Sequence, residues 1–525
     1  MKKFYLTALA VAFSYTVKAQ DLSSTMLVTP GTTVMVSSGT AISASEVNLK
    51  STSDSFACLF LNDDLESSTI VNYDRYVNII GTSGQNGGND LISLPVKTTA
   101  DVTFSDFLNY TDGVTANSMI IPNAPSIPTL FAFGPYNNTN HSYTNYNTAT
   151  DGGVILKRGI GYRAASYSGQ TIRCTGTVST VSETVEITTN ENVWNSVGNP
   201  FPTFIDSQAF LAANSTVLKP SARAIYAYNS GTNTDTGTGT FGNYTIINGL
   251  TNTDVNIAPG QGFLVANDSS DATNQISFTQ AMRTNEGTDD FILGRNANQN
   301  QMFRLQVENG TEDFATEIYF NANSTLGLDP GYDAVLYTND GYDLIVYSHL
   351  VENDLGESMA IQSLGLNNQN DISIPLGLKA EQGQQITFSI ETSTLPNGVE
   401  VYLEDTLTNT FTLLNANSYS FAANNPISGA GRFYLRVENS TLSTIDQNSE
   451  NLKIFTSEKT LFINGLLLAD TEVSVFDIQG RLVLSSILKE ASDRNAIDGA
   501  RLSQGIYLVK LSSKKQQHTK KVIFK

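Results

Sequence analysis

Apolar and polar residues alternate with a period of two along much of the chain. In the stretch QQITFSIETS, Ile386, Phe388 and Ile390 fall on one side of an extended strand, with polar residues between them. The stretches GVEVYLED, RFYLRVEN and MFRLQVEN repeat this alternation, and turn signals such as NDGYD, LPNG and DIQG occur between strands. One apolar and one polar face per strand is typical of antiparallel sheets packed as sandwiches. The pattern predicts an all-β protein of antiparallel β-sandwich domains in series.

The composition favours the same fold class. Of the 525 residues, 40% are hydrophobic and only 15% are charged, which disfavours long helices rich in Glu, Lys and Arg. The 26 Phe and 22 Tyr are too many aromatic residues for a disordered chain. No internal repeat of the length that marks solenoids or propellers is found, so neither architecture is predicted.

The N-terminus has the pattern of a signal peptide. Lys2 and Lys3 precede an apolar run at residues 4–17, and small residues follow it in VKA. We predict cleavage after Ala19, which leaves Gln20 as the first residue. The apolar run is shorter than the roughly 20 residues that span a bilayer. The sequence therefore predicts a signal peptide at residues 1–19, export, and no transmembrane segment after its removal.

The distribution of charge indicates where the domains divide. Residues 451–525 contain 12 Lys and Arg against 7 Asp and Glu, whereas the rest of the chain contains 18 against 43. An acidic body lacks the cations that bind nucleic-acid phosphates, so we expect no nucleic-acid partner. The sharp change, next to a polar stretch, predicts a linker at 439–450 and a separate domain at 451–525. A lapse of periodicity near 283–301 separates a β-rich region of one or two domains at 20–290 from a β-sandwich domain at 296–438.

Residues that would carry catalysis or bind a metal are not evident. The three histidines, His141, His349 and His518, are far apart, and no HExxH, GxSxG or P-loop pattern occurs. The sequence therefore predicts no catalytic, cofactor-binding or metal-binding residue, and a protein that is not an enzyme. Cys58 and Cys174 both lie in strand-like stretches, where they either pair as a disulfide or remain buried thiols.

The C-terminal segment 451–525 shows a compact pattern of short strands. The turn DIQG uses Gly480 for the positive φ that a tight turn requires, and a second turn precedes the strand at Gly505. In that strand Tyr507, Val509 and Leu511 point inward together. KKVIFK forms a last strand. Six or seven strands predict a small Ig-like β-sandwich.

These segments carry a resemblance to a known family. With QGRLVLSS, LSQGIYLVKL and KKVIFK at the expected spacings, residues 451–525 resemble the type A sorting domain that directs proteins through the type IX secretion system of Bacteroidota. The resemblance implies that an outer-membrane type IX translocon recognises the domain. It also implies that a sortase removes the domain near the linker and attaches the protein to a surface glycolipid or releases it. The expected location is extracellular or on the outer cell surface.

A separately folded basic domain offers a partner both charge and strand edges. The residues predicted to take part in recognition are Gly480, Arg481, Gly505, Tyr507, Lys520, Lys521 and Lys525. The alternative is that the two glycines only shape turns and that the terminal lysines only solvate a strand edge.

The body of the chain resembles a β-rich module of surface and adhesin-like proteins that carry this sorting domain. The segments WNSVGNPFP, IYAYNS and IAPGQGFLVAND bear the resemblance, which implies a structural or adhesive role and no particular binding residue. The Tyr- and Asn-rich stretch 133–153 has the composition of an adaptable recognition surface for a surface glycan or a cell-surface ligand. We expect a secreted or surface-anchored, non-catalytic, adhesin-like protein. The alternatives are a secreted carbohydrate-binding or carbohydrate-degrading protein and a structural surface or gliding component.

Overall fold

Strands dominate the fold. The computed structural model describes residues 24–40, 42–62, 69–80, 89–96, 102–111, 116–188, 193–229, 243–268, 270, 274–287, 300–337, 342–439, 452–457, 459–465, 467, 469–489, 494–513 and 517–524. Strands make up 53% of the structure and helices 7%, which confirms the predicted all-β class. No helix of the described residues is long and apolar enough to cross a membrane. The predicted cleavage site at Ala19 and Gln20 lies outside these residues, as do Lys525 and nearly all of the predicted linker.

The chain forms two compact units. The first contains the described residues up to 368 together with 373–395 and 402–436, and the second contains 369–372, 396–401 and 437–525. The boundary predicted between residues 290 and 296 lies outside the described residues and stays a prediction.

The first strands of the first unit alternate between two parallel sheets. The strands and helices between residues 25 and 176 are β1 (Thr25–Val28), β2 (Thr33–Val36), β3 (Glu46–Lys50), β4 (Cys58–Leu61), β5 (Ile70–Val77), β6 (Asp90–Ile92), α1 (Phe104–Leu108), α2 (Asn117–Ile120), β7 (Asn123–Ala124), β8 (Ile127–Phe131), β9 (Phe133–Asn137), β10 (Ser142–Tyr143), α3 (Thr148–Asp151), β11 (Tyr162–Ala164) and β12 (Gln170–Gly176). Strands β1, β3 and β5 pair in parallel in one sheet, and β2 and β4 pair in parallel in another.

This arrangement is a short parallel β-helix, which we call the coil, and the sequence did not predict it. In one sheet the register pairs Thr25 with Glu46 and Glu46 with Ile70, and in the other it pairs Thr33 with Cys58. The steps along the chain between these partners are unequal, so no fixed repeat is visible in the sequence. The predicted antiparallel pairing is wrong for these strands. Side chains alternate between faces in parallel and antiparallel pairs alike, so the alternation in the sequence does not distinguish the two.

Polar side chains line one face of the coil, in the sheet where β12 pairs with β5 in antiparallel orientation. The buried amide of Asn72 donates to Asn48 Oδ1 at 2.8 Å and also to the carboxylate of Glu46, and it accepts from Thr175 Oγ1 at 2.7 Å. These bonds satisfy a polar side chain that would otherwise be costly to bury.

An ion-pair network joins β3, β5 and β12. The buried carboxylate of Asp74 accepts from Lys50 Nζ and from two nitrogens of Arg173, with Nη2 2.8 Å from Oδ2. Arg173 Nη1 also donates to the hydroxyl of Tyr110 at 2.7 Å. The hydrogen bonds to Asp74 are the main reason that the pKa of Arg173 lies above its usual value.

The middle of the first unit packs smaller sheets around an apolar core. Its elements are β13 (Glu183–Glu186), β14 (Trp194–Gly198), β15 (Phe204–Asp206), α4 (Ser207–Ala213), β16 (Ile225–Asn229), β17 (Asn243–Ile247), β18 (Asn256–Ile257), β19 (Gly262–Ala266), β20 (Gln275–Phe278) and β21 (Arg283–Thr284). The strand orders are β14-β19-β16-β17, β18-β15-β21 and β13-β20. The ring of Trp194 packs edge-on against Tyr226 at 4.7 Å and Tyr337 at 4.8 Å between centroids.

A larger sheet follows in the chain. Its strands are β22 (Gln301–Glu308), β23 (Asp313–Asn321), β24 (Ala334–Val335), β25 (Ile345–Ser348), β26 (Met359–Gly365), β27 (Asp371–Ala380), β28 (Gln385–Ser393), β29 (Val399–Asp405), β30 (Thr410–Leu413), β31 (Tyr419–Ala422) and β32 (Ile427–Asn439). The strand order is β30-β29-β32-β27-β25-β26-β23-β22-β28-β31, and β24 pairs with β26. The predicted inward residues Phe303, Leu305, Val307, Ile386 and Phe388 are all fully buried.

One buried acid makes the stability of the first unit depend on pH. The carboxylate of Asp333 is fully buried and accepts the backbone N–H groups of Asp329 and Ser363, each at 2.6 Å. Burial raises its pKa from 3.8 to about 7. The folded state therefore holds this proton up to about pH 7, whereas the unfolded state loses it near pH 4. The contribution of the protonated group to stability is lost as the pH rises through this window.

We expect Asp333→Asn to gain stability relative to the wild type as the pH rises. Between pH 5 and pH 8 the difference in the free energy of unfolding should shift by about 2–3 kcal/mol in favour of the variant, because only the wild type must bury a charge at pH 8. Urea titrations followed by the fluorescence of Trp194, the only tryptophan, measure this in the first unit. A difference that stays constant with pH would contradict the prediction.

The second unit contains a small β-sandwich. Its strands are β33 (Lys453–Ser457), β34 (Thr460–Asn464), β35 (Thr471–Asp477), β36 (Leu482–Leu488), β37 (Arg494–Asp498), β38 (Gly505–Ser512) and β39 (Gln517–Phe524). They form two antiparallel sheets, β33-β34-β37 and β36-β35-β38-β39. Leu461, Ile463, Val475, Val509 and Leu511 are fully buried in the apolar core that both sheets share. The inward direction predicted for Val509 and Leu511 is confirmed.

Candidate functional site

The predicted recognition residues around Gly480 lie on a tight turn between β35 and β36. Gly480 has a φ of 78° and donates its N–H to the carbonyl of Asp477 at 2.9 Å. The carboxylate of Asp477 accepts the backbone N–H groups of Gln479 at 2.9 Å and Arg481 at 3.0 Å. The guanidinium of Arg481 also contacts this carboxylate, with Nη2 2.7 Å from Oδ2, although the Arg481 side chain is 73% exposed. The backbone N–H of Arg481 is the main cause of the lowered pKa of Asp477.

Tyr507 packs inside the sandwich. Its ring is 8% exposed and lies edge-on to Phe524 at 5.4 Å between centroids, and its hydroxyl donates to the carbonyl of Ser503 at 2.9 Å. Gly505 begins β38 with a nearly extended φ of 157°. In the folded domain Tyr507 therefore fixes the entry into β38 and presents little of its ring to a partner. Its role in recognition stays a prediction.

The two terminal lysines that the structure describes point to different sides. Lys520 Nζ contacts Glu438 Oε2 at 2.7 Å within the second unit. Lys521 is exposed on the opposite face, where β39 pairs it with Leu508. Lys525 lies outside the described residues. Among the described residues Lys521 has no ion pair for a partner to break, whereas Lys520 would have to leave Glu438.

The predicted residues on the turn and on the last two strands come together at one end of the four-stranded sheet. Asp477, at the end of β35, pairs with Tyr507, and Gly505 pairs with Phe524. The turn at Gly480 therefore lies at the same sheet end as the start of β38 and the end of the last strand.

Apolar residues on the outer face of this sheet end were not among the predicted site residues. Phe476 pairs with Leu482 on one side and with Leu508 on the other, and Ile506 pairs with Ile523 in the neighbouring row. We call these five residues the outer apolar patch. Leu482, Ile506, Leu508 and Ile523 are 42–55% exposed, and Phe476 is half-buried.

The sequence contained a signal for this patch. In GIYLVKL the inward residues Tyr507, Val509 and Leu511 leave Ile506 and Leu508 on the solvent side. Of the nineteen exposed large apolar residues in the described part of the chain, seven lie in the sandwich, which is a small fraction of the sequence. These are Ile478, Leu482, Val483, Ile487, Ile506, Leu508 and Ile523. Such a concentration differs from the scattered exposure that is normal on protein surfaces.

The tyrosines of stretch 133–153 contribute to packing in the first unit. The rings of Tyr136 and Tyr143 meet edge to face at 5.2 Å, and the Tyr143 hydroxyl donates to Ser196 Oγ at 3.0 Å. Burial raises the pKa of Tyr146 to about 12. These tyrosines already contact other residues of the protein, so less of their surface is left to bind a ligand.

The cysteines and the acidic residues form neither a disulfide nor a metal site in the described part of the chain. Cys58 and Cys174 are buried free thiols, and burial raises their pKa values to about 11 and about 12. Within the described ranges no group of three or more His, Cys, Asp and Glu side chains is placed to hold a metal ion.

Two family models match parts of the chain. A family model described as a domain of unknown function (DUF8693) matches residues 134–437, more than half of the chain. The chain belongs to this family. A second model, described as a secretion system C-terminal sorting domain, matches residues 451–525 of the same chain. The small sandwich is thus a sorting domain for type IX secretion, and the protein is secreted or located on the outer cell surface.

The similarity of this chain to curated proteins and solved structures is low. No curated protein matches the chain. A solved structure titled "Biofilm associated protein - BSP domain" is similar over 65% of this chain and 95% of that chain, with 7% sequence identity and a TM-score of 0.14. At these values the similarity assigns neither a fold nor a role.

A substitution in the turn at Gly480 tests whether this turn takes part in export. Gly480→Ala should destabilise the sorting domain by about 1–2 kcal/mol, because the turn requires a positive φ. No atom lies within 4 Å of the added Cβ, so no clash adds to this strain. Gly383→Ala is the matched control, since Gly383 of the first unit has a φ of 87° and the same free space. We expect slower export for Gly480→Ala alone, measured by fractionation of cells. Equal export of both variants would contradict recognition through this turn.

Proposed function

We propose that the DUF8693 protein is a non-catalytic, adhesin-like protein that acts at the cell surface after type IX secretion. The observation that carries the proposal is the sorting domain, a separate basic sandwich at the end of a large acidic body built from sheets. Export places such a body outside the cell, where a wide β surface can contact glycans or other cells. We expect the ligand to be a surface glycan or a cell-surface protein.

The partners in export follow from the sorting domain. We propose that the outer-membrane translocon binds the sheet end around Gly480, Arg481, Gly505 and Lys521. A sortase then removes the domain within residues 439–450 and anchors or releases the body. The positive charge of residues 451–525 on an otherwise acidic chain supports recognition by a partner with acidic groups.

Adhesion assays test the proposed role directly. Cells that lack the gene should adhere less to host or neighbouring cells, and expression of the full chain should restore adhesion. A glycan array probed with the purified full chain then tests for a carbohydrate ligand. Unchanged adhesion after deletion would contradict the proposal. Release of sugars from a bound glycan by the purified chain would instead show an enzyme.

A further inference from the structure

We propose that the outer apolar patch is the surface by which the sorting domain docks on the secretion machinery. The proposed occupant is a protein face with apolar side chains at its centre and carboxylates at its border. The inference rests on the proposed recognition of the sorting domain and adds which face is recognised and the chemistry of the partner.

The patch is continuous across three strands of the sheet. The side chains of Leu482, Phe476 and Leu508 form a continuous row across β36, β35 and β38, and Ile506 with Ile523 forms the next row. Directly paired residues on one sheet face have Cβ atoms about 5 Å apart and diagonal neighbours about 7–8 Å apart, so the five side chains lie next to one another on one surface. A contiguous apolar surface on a soluble domain usually marks a contact with a partner.

Positively charged side chains border one side of the patch. Lys521 pairs with Leu508 in the first row, and Lys510 follows two residues later on the same face of β38. Glu472 lies on this face at the far end of β35. The patch is therefore bordered by cations on the β38 and β39 side, and a partner with carboxylates at its border fits it better than a basic one.

The β36 edge of the sheet is a poorer contact than the apolar face. Strand β36 is the outer strand beside β35 in this sheet, yet its pairing has a bulge where Val483 is the extra residue between Leu482 and Leu484. A bulge interrupts the regular row of backbone groups that an added strand needs. Strand addition to β36 would be poor beside the patch, whereas the apolar face remains accessible.

Leu508→Asp in the full chain is the test. A charge at the centre of the patch should reduce export about tenfold or more, because buried apolar residues at the centre of an interface carry most of its affinity. Ile487→Asp is the matched control: Ile487 is 67% exposed on the same sheet but pairs with Glu472. That row is four residues from Phe476, about 13 Å along the strand. The control should be exported like the wild type.

Further measurements separate the possible failures. Thermal melting of the purified chains shows whether Leu508→Asp unfolds the sandwich. Leu508→Ser is a second variant without a charge, and if it is folded it should also be exported poorly. Wild-type export of a folded Leu508→Asp overturns the proposal, as does equal loss in Ile487→Asp. If Leu508→Asp instead abolishes binding to phosphatidylglycerol vesicles while export is unchanged, the patch contacts lipid and the proposal fails. Export after deletion of residues 451–525 would refute the sorting role itself, which the patch variants alone do not address.

Discussion

Asp74→Ala is expected to lower the free energy of unfolding of the first unit by about 3–5 kcal/mol, because it leaves the largely buried Arg173 without its counterion. Asp74 is 5% exposed and accepts hydrogen bonds from both Lys50 and Arg173. Arg173 is itself largely buried, with 13% of its side chain exposed, so water can replace only part of the lost interaction with the carboxylate. Urea unfolding followed by Trp194 fluorescence measures the loss in this unit.

The control for Asp74 lies in the same coil. Asp54 is exposed and bonds only to Thr52 among the contacts described for its carboxylate, so Asp54→Ala should change stability by less than about 1 kcal/mol. The double variant Asp74→Ala/Arg173→Met should recover part of the loss, since it removes an uncompensated charge and fills the space with an apolar chain. Equal stability of Asp74→Ala and Asp54→Ala would show that the network contributes little.

Tyr507→Ala is expected to destabilise the sorting domain by about 3–5 kcal/mol, as is typical for loss of a buried aromatic ring. The ring packs on Phe524, and its hydroxyl bonds to the carbonyl of Ser503. A core of this size is only marginally stable, so the substitution should unfold the sandwich and stop export. Limited proteolysis of the full chain and cell fractionation measure the two effects.

Tyr507→Phe distinguishes packing from direct recognition. It keeps the ring and loses one hydrogen bond, a cost of about 1 kcal/mol, so the sandwich should stay folded and export should continue. If a folded Tyr507→Phe variant is not exported, the hydroxyl itself takes part in recognition, and its assignment to the core alone would be wrong.

The fold class could be predicted because the face that each strand buries is encoded locally. The alternation around Phe303 and Phe388 and the inward set of Val509 and Leu511 all match the structure. The turn at Gly480 was also predictable, because a tight turn with positive φ favours glycine.

Strand pairing could not be predicted in the same way. Strands β1 to β4 are short, and the side chains of parallel and antiparallel strands alternate alike. Their partners are distant in the sequence and separated by unequal steps, as the pairs Thr25–Glu46 and Glu46–Ile70 show, so the coil emerges only from tertiary contacts.

The candidate site was predicted in part. Gly480 and Arg481 could be found from a local motif, whereas the outer apolar patch could be found only in part. The predicted inward set Tyr507, Val509 and Leu511 leaves Ile506 and Leu508 on the other face of β38. Only the arrangement of the sheets shows that Phe476, Leu482 and Ile523 lie beside them on the same outer face.

Fractionation of cells that express the chain without residues 451–525 tests the central claim most directly, with the full chain as control. If the terminal sandwich is the export signal, the shortened protein accumulates in the periplasm and none reaches the outer surface or the medium. Delivery of the shortened protein to the cell exterior in wild-type amounts would contradict this account.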